Sequence, residues 1–353
     1  MPLAAQAQTV KTELVAQGLD SPWAMAAMPG GEWLVTERPG KMRKIDAQGK
    51  VSAPLQGLPK VDAVGQGGLL DLVLDSGFAN NRQLYFCYTE AGAGGNGTTL
   101  ARARLNAEAT GLEQVQVIFR QLPKMAGRLH FGCRIAEAPD GNLFMTLGER
   151  FSGMQRAQQL DNHLGKIVRF SKDGKAPADN PFTQTSGALP EIYSYGHRNP
   201  QGLVIDAKGQ LWAHEHGPQG GDELNLVQAG KNYGWPVITY GENYGGGKIG
   251  AGITAKDGLT QPLIHWTPSI APSGLAQLTS KAYGEAWQGS FFLGSLKFRY
   301  LERVQLEQGR AVAQQKLLED IGRVRDVRQG PDGLLYVLTE NEPAQLLRLR
   351  PSP

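Results

Sequence analysis

Six times along the chain the same short pattern returns: an apolar, β-rich segment, a tight turn, and a second apolar strand. Trp23 leads through Pro29-Gly30-Gly31 to Trp33-Leu34-Val35-Thr36-Glu37. Leu69–Leu74 turns near Asp75-Ser76-Gly77 into Leu84-Tyr85-Phe86-Cys87-Tyr88. Ile135 passes through Pro139-Asp140-Gly141 to Leu143-Phe144-Met145-Thr146-Leu147, and Gly202–Asp206 through Lys208-Gly209 to Leu211-Trp212-Ala213-His214. A looser copy links Ser273-Gly274-Leu275 to Phe291-Phe292-Leu293-Gly294, and a clear one links Val324 through Pro331-Asp332-Gly333 to Leu334–Leu338. A small twisted sheet cannot bury both faces alone, whereas sheets stacked around an axis bury one another and leave only short edges.

The pattern therefore predicts an all-β, six-bladed β-propeller, with four-stranded antiparallel blades around a central channel. Further strands such as Lys166–Phe170 and Leu346–Leu349 close individual copies, and the uneven spacing places insertions on one rim. A β-sandwich would not need this many strands. Residues 19–353 form one catalytic domain in this reading, preceded by an extension at 1–18, and only residues 157–162 suggest a short helix. The 46 glycines and 21 prolines supply the turns that so many short strands need.

Charge narrows the partners. The formal net charge is +3, with Lys and Arg scattered and no run that would track a phosphate backbone, so nucleic acid is excluded as a partner. No apolar run is long enough to span a bilayer. Met1–Ala7 is rich in small residues, like the tail of a trimmed secretory signal. Cys87 and Cys133 read as buried free thiols, with a disulfide between them as the alternative, and they leave the compartment open.

Five polar segments, four of them containing glycine, fall where the blades should reach one rim: residues 65–68, 128–132, 196–201, 214–223 and 323–326. Loops on a rigid scaffold are where binding and catalytic groups are placed. Converging on the channel, these would gather a histidine, several arginines, a lysine and carboxylates, a set that suits an anionic ligand. His130 is the candidate general base, because imidazole titrates near neutrality; a structural histidine bonded to a backbone carbonyl is the alternative. Arg198, Arg323 and Arg325 offer forks for carboxylates and Lys297 a point charge. Alternation puts Arg323 and Arg325 on one face of a strand. His214 and His216 could clamp a transition metal, but Gly217–Glu223 offers backbone carbonyls and carboxylates, the hard donors calcium prefers.

Six ordered segments then resemble a known family: 65–70, 196–203, 214–218, 221–225, 232–236 and 323–327. Together they resemble the soluble PQQ-dependent glucose dehydrogenases, in particular the aldose sugar dehydrogenase branch, from about Leu19 to Leu349. The resemblance implies an enzyme that oxidises aldoses at C1 to lactones with PQQ and calcium and passes the electrons to an acceptor, in the periplasm or outside the cell. It implies that His130 is the catalytic base, that Gln66, Arg198 and Asn199 hold the quinone oxygens, and that Lys297, Arg323 and Arg325 bind the PQQ carboxylates. Gly217 and Pro218 match the positions whose carbonyls hold the calcium touching PQQ, and Glu223 and Tyr233 match ligands of a second calcium. Residues 266–273 resemble the stretch lining the cofactor pocket. Leu129 stands where the family's glucose dehydrogenases carry an acid, and the insertions linked to their dimerisation are missing, which implies a monomer. The competing readings are a calcium-dependent lactonase and a non-catalytic binding propeller; neither calls for so many cations beside a histidine.

Overall fold

A computed structural model describes residues 9–352. The chain opens with β1 (Val10–Leu19) and then lays down one sheet after another. Blade 1 holds β2 (Pro22–Ala27), β3 (Trp33–Glu37) and β4 (Lys41–Ile45); blade 2 holds β5 (Leu69–Leu74), β6 (Gln83–Gly92), β7 (Gly95–Leu105) and β8 (Leu112–Arg120). Blade 3 holds β9 (Ile135–Glu137), β10 (Leu143–Leu147), β11 (Lys166–Phe170) and β12 (Ile192–Tyr195). Blade 4 holds β13 (Pro200–Ile205), β14 (Leu211–Glu215), β15 (Asp222–Val227) and β16 (Ile264–Trp266). Blade 5 holds β17 (Pro272–Gln277), β18 (Phe291–Ser295), β19 (Leu301–Glu307) and β20 (Arg310–Leu317). β21 (Val324–Gln329), β22 (Leu335–Thr339) and β23 (Ala344–Pro351) belong to blade 6. Every pairing within a blade is antiparallel, as the repeat predicts.

Two details differ from the sequence expectation. Blade 1 has three strands, extended by a bridge from Ile45 to Val51. Residues 10–18 are not an extension: β1 runs beside β23, from Val10 opposite Pro351 to Leu19 opposite Ala344, and gives blade 6 its outermost strand. Ion pairs from Glu13 to Arg348 (2.6 Å) and Arg350 (2.7 Å) reinforce this closure. The suggested signal remnant at residues 1–7 lies outside the described residues. Near residues 157–162 there is a single 3-10 turn, Met154–Gln158.

The innermost strands touch in a ring, β2–β5–β9–β13–β17–β21 and back to β2. In five of the six, one extra residue interrupts the register close to the strand's start. Such bulges re-aim side chains. The residues they insert include Trp23, Gln201 and Arg325, which all line the channel mouth. Between blades the packing is apolar and dense, as where Trp33 of blade 1 meets Tyr336 of blade 6 with ring centroids 4.6 Å apart. Each large apolar side chain so buried contributes roughly 1.5–3 kcal/mol.

Beneath the mouth a buried ionic knot joins the blades. Arg134 reaches Asp71 (3.4 Å) and Asp326 (3.2 Å), and Arg328 reaches the same two carboxylates at 2.9 and 3.0 Å. Arg134 also donates to the carbonyls of Gln201 and Arg325, Met25 N–H donates to Asp326, and Ser273 Oγ donates to the Arg325 carbonyl. All six blades thus contribute to one network. Cys87 and Cys133, expected as free thiols, form a disulfide between β6 and the segment entering blade 3. Spacing alone could not reveal this bond, because it joins two blades across 46 residues.

Candidate active site

At the mouth of the channel lies a cavity of about 550 Å³. Gln66, Asn199, Lys297, Arg323 and Arg325 line it, together with Trp23, Arg38, Gln201, Phe131 and Ala271. Four of these carry positive charge, and the carboxylate among the lining residues is Glu340. Burial alone would raise the Glu340 carboxyl, but Arg325 at 2.6 Å outweighs it and holds the group below its ordinary value. Arg323 lies 3.6 Å from the same carboxylate and donates to the Leu296 carbonyl. The wall therefore carries more cations than it neutralises, and it favours an anion with several carboxylates.

Asn199 Oδ1 accepts from Gly132 N–H (3.2 Å) and from Gln201 Nε2 (3.2 Å). That occupies its oxygen and leaves its amide nitrogen as the donor. Gln66 Oε1 accepts from His130 N–H (2.9 Å), which ties a lining residue to the candidate base.

His130 is not among the lining residues but directly precedes two of them, Phe131 and Gly132; it is buried, and its Nδ1 lies 2.9 Å from Glu149 Oε1. With Nδ1 engaged, Nε2 is the nitrogen left for a substrate proton. Burial, helped by the charges of Arg198 and Arg150, pushes the imidazole well below its ordinary pKa and keeps it neutral. Burial pushes Glu149 up to about 7 against the pull of the same two arginines. Glu149 stands on the loop after β10, where its N–H donates to the Arg198 carbonyl (2.9 Å). Sequence reading passed over Glu149, which stands two residues after the end of β10. Beside the pair, the Phe151 and His130 rings meet edge to face with centroids 5.5 Å apart, and Phe151 is itself 48% exposed.

Arg198 is not part of the cavity wall. It is buried, and its guanidinium donates to the carbonyls of His216 (3.1 Å) and Gly217 (2.7 Å). The 217–221 loop is tight: a Cβ on Gly217 would fall 2.3 Å from the carbonyl oxygens of both Gly220 and Gly221. Behind it, a small space is lined by Glu215, Gly217, Gly221, Glu223 and Tyr233, with Arg198 among its walls. Burial and the neighbouring Glu215 drive the Glu223 carboxyl well above its ordinary value, and the Oδ1 of Asn225, whose amide reaches Glu223 (3.3 Å), has no partner. Two crowded carboxylates and an orphaned amide oxygen are what a hard cation would satisfy. The Tyr233 hydroxyl already donates to Leu226 O (2.6 Å) and accepts from Gln228 N–H (2.9 Å), so only its backbone carbonyl is free for such a role. Pro218 packs beside Gly241.

The alternative clamp is not formed. His214 Nε2 meets the Gly274 carbonyl (2.7 Å) and His216 Nε2 the Pro272 carbonyl (2.8 Å). Among the described residues no group of three or more His, Cys, Asp or Glu side chains converges on one point.

A propeller that gathers cations at its channel mouth, with a neutral, carboxylate-braced imidazole close by, belongs to the class of propellers with a ligand site on the axis. The Glucose / Sorbosone dehydrogenase family model matches residues 19–348, and the chain belongs to that family. It is 43% identical over 348 residues to the aldose sugar dehydrogenase YliI of Escherichia coli, covering 97% of this chain and 93% of that protein. The apo-form crystal structure of the soluble aldose sugar dehydrogenase from Escherichia coli superposes with a TM-score of 0.93 at 42% identity, covering 98% of this chain and all of that one (100%). The PQQ-bound aldose sugar dehydrogenase from Streptomyces coelicolor superposes at 0.81 with 32% identity, covering 98% and 99%.

Proposed function

We propose that this protein oxidises aldose sugars at C1 to lactones, with PQQ held in the cation-lined cavity and calcium bound beside it. The observation that carries the reading is the pairing of that cationic wall with the His130–Glu149 dyad, which is tied to the wall through Gln66 and adjoins Phe131. PQQ is a tricarboxylate, which suits Lys297, Arg323, Arg325 and Arg38, while the amides of Gln66 and Asn199 suit quinone oxygens. Bound there, the cofactor would accept a hydride, its carbonyl polarised by calcium as a Lewis acid.

The chain's own work is to bind, orient and take a proton. His130 Nε2 accepts the proton of the anomeric hydroxyl, and Glu149 at Nδ1 fixes the ring and stabilises the positive charge that develops on it. Calcium would sit against the carbonyls of Gly217 and Pro218, with a second ion among Glu223, the Tyr233 carbonyl and their neighbours. Location outside the cytoplasm agrees with the buried disulfide, since such bonds form in oxidising compartments.

Titration of apo-protein with PQQ and calcium, followed by absorbance, tests the reading; stoichiometric binding and reduction of the cofactor on adding glucose or another aldose are expected. His130→Ala should still bind PQQ but lose turnover by about 10²–10⁴-fold. Full turnover in that variant, or no PQQ binding by the parent protein, would overturn the assignment.

A further inference from the structure

Residues 130–133, which carry the base, belong to no strand. Three of them have left-handed backbone: His130 at φ 53°, Gly132 at 65° and Cys133 at 80°. Glycine is required at 132, where a Cβ would meet main-chain atoms of Thr146, Leu147 and Gly148 at 2.7–2.8 Å. At 130 and 133 the conformation is unfavourable, because each residue has a Cβ. Non-glycine residues stay in this region only where their surroundings over-determine them.

Some of the hold is non-covalent. His130 N–H donates to Gln66 Oε1 (2.9 Å), Gly132 N–H to Asn199 Oδ1 (3.2 Å), and Cys133 N–H to the Thr146 carbonyl (2.7 Å). Thr98 Oγ1 donates to the Phe131 carbonyl (2.7 Å). Two of these four partners, Gln66 and Asn199, line the cavity and are also needed for any ligand there. The one covalent hold is the bond from Cys133 to Cys87, fully buried in β6 of the neighbouring blade. Blades 2 and 3 share a continuous apolar core around it, including Phe86, Leu100, Ile135 and Met145, so their packing does not rest on this bond alone. The crosslink is anchored where the base is attached, and on a residue whose backbone disfavours its own side chain.

We propose that the Cys87–Cys133 disulfide is a positioning element for the His130 base: it locks the left-handed segment that sets the imidazole against Glu149, and turnover depends on it. This rests on the reading of His130 as base. The test compares wild type with Cys87→Ala/Cys133→Ala and Cys87→Ala/Cys133→Gly, each loaded with PQQ and calcium and assayed with one sugar well below its melting temperature. Glycine adopts φ 80° freely, so the second variant removes the bond without straining the backbone. In both variants kcat should fall about 10- to 100-fold with KM little changed, as expected for a base moved by a fraction of an ångström to an ångström. The alanine variant should suffer more.

A second readout needs no cofactor. Hydrogen exchange of the apo-proteins should quicken in residues 130–133 and leave β8 and β12 unchanged. Unaltered kcat with unaltered exchange in that segment, accompanied only by a lower melting temperature, would reduce the bond to a structural staple and overturn the proposal. If the alanine variant fails to fold, the glycine variant decides on the same two readouts; failure of both to fold would make the bond a folding element and equally overturn it. A wild type that oxidises no sugar would sink the functional reading instead, while the exchange experiment would still report whether the bond holds the segment.

Discussion

His130 and Glu149 share one bond and opposed tendencies: burial lowers the proton affinity of the imidazole and raises that of the carboxyl. They titrate as a pair. Below about 7 the shared proton sits on the dyad through Glu149, and the carboxylate that must brace the incoming imidazolium is lost. Activity should therefore rise as pH passes upward through that value, measured as kcat/KM against pH. Glu149→Gln should abolish this step, leave an acid limb at lower pH set by His130 alone, and lower kcat. An unchanged profile would show that the carboxyl does not control the base. Histidine was legible in the sequence because few residues titrate near neutrality, whereas its partner was not. Glu149 lies 19 positions away, on another loop, and one acid among many carries no signal until the fold brings it to 2.9 Å.

The elements were legible to the degree that they are apolar. Strands such as β3, β10 and β22 are buried along their whole length, and each stands after a turn that marks it. By contrast β1 is mostly solvent-facing, an outer strand with little apolar alternation, so it read as an extension. Bulges were invisible as well: strict alternation puts Arg323 and Arg325 on one face, but the register slips between Val324 and Asp326 and it is the slip that turns Arg325 to the cavity. The closure of β1 onto β23 has its own pH signature. Hydrogen bonds from Arg348 and Arg350 lower Glu13 from 4.5 to about 2, so its contribution is complete above pH 4.5 and disappears as pH falls through about 2. Melting temperature followed across that range should fall more steeply for wild type than for Glu13→Gln. For the 217–223 loop, calcium at a hundred times its Kd should stabilise the protein by about 2.7 kcal/mol, and Glu223→Gln should reduce that gain. No calcium-dependent shift in melting would remove the ion from this loop.

For the molecule as a whole, the ring depends on groups that no single blade could satisfy. Asp71 and Asp326 are completely buried and each faces both Arg134 and Arg328. Arg134→Met would leave two carboxylates with one cation between them and strip donors from the carbonyls of Gln201 and Arg325. Removing one partner of a buried pair costs about 3–5 kcal/mol. Denaturant midpoints should show that loss, and a change near zero would mean the knot is dispensable. The order of the blades adds a constraint in time. Because β1 pairs with β23, from Val10 opposite Pro351, a ribosome must deliver both strands before the sixth sheet has its outermost strand. Until then β1 waits unpartnered and the sixth sheet lacks its outer rail. A nascent chain stalled before β21 is an open arc, because β21 is the strand that carries the inner ring back onto β2.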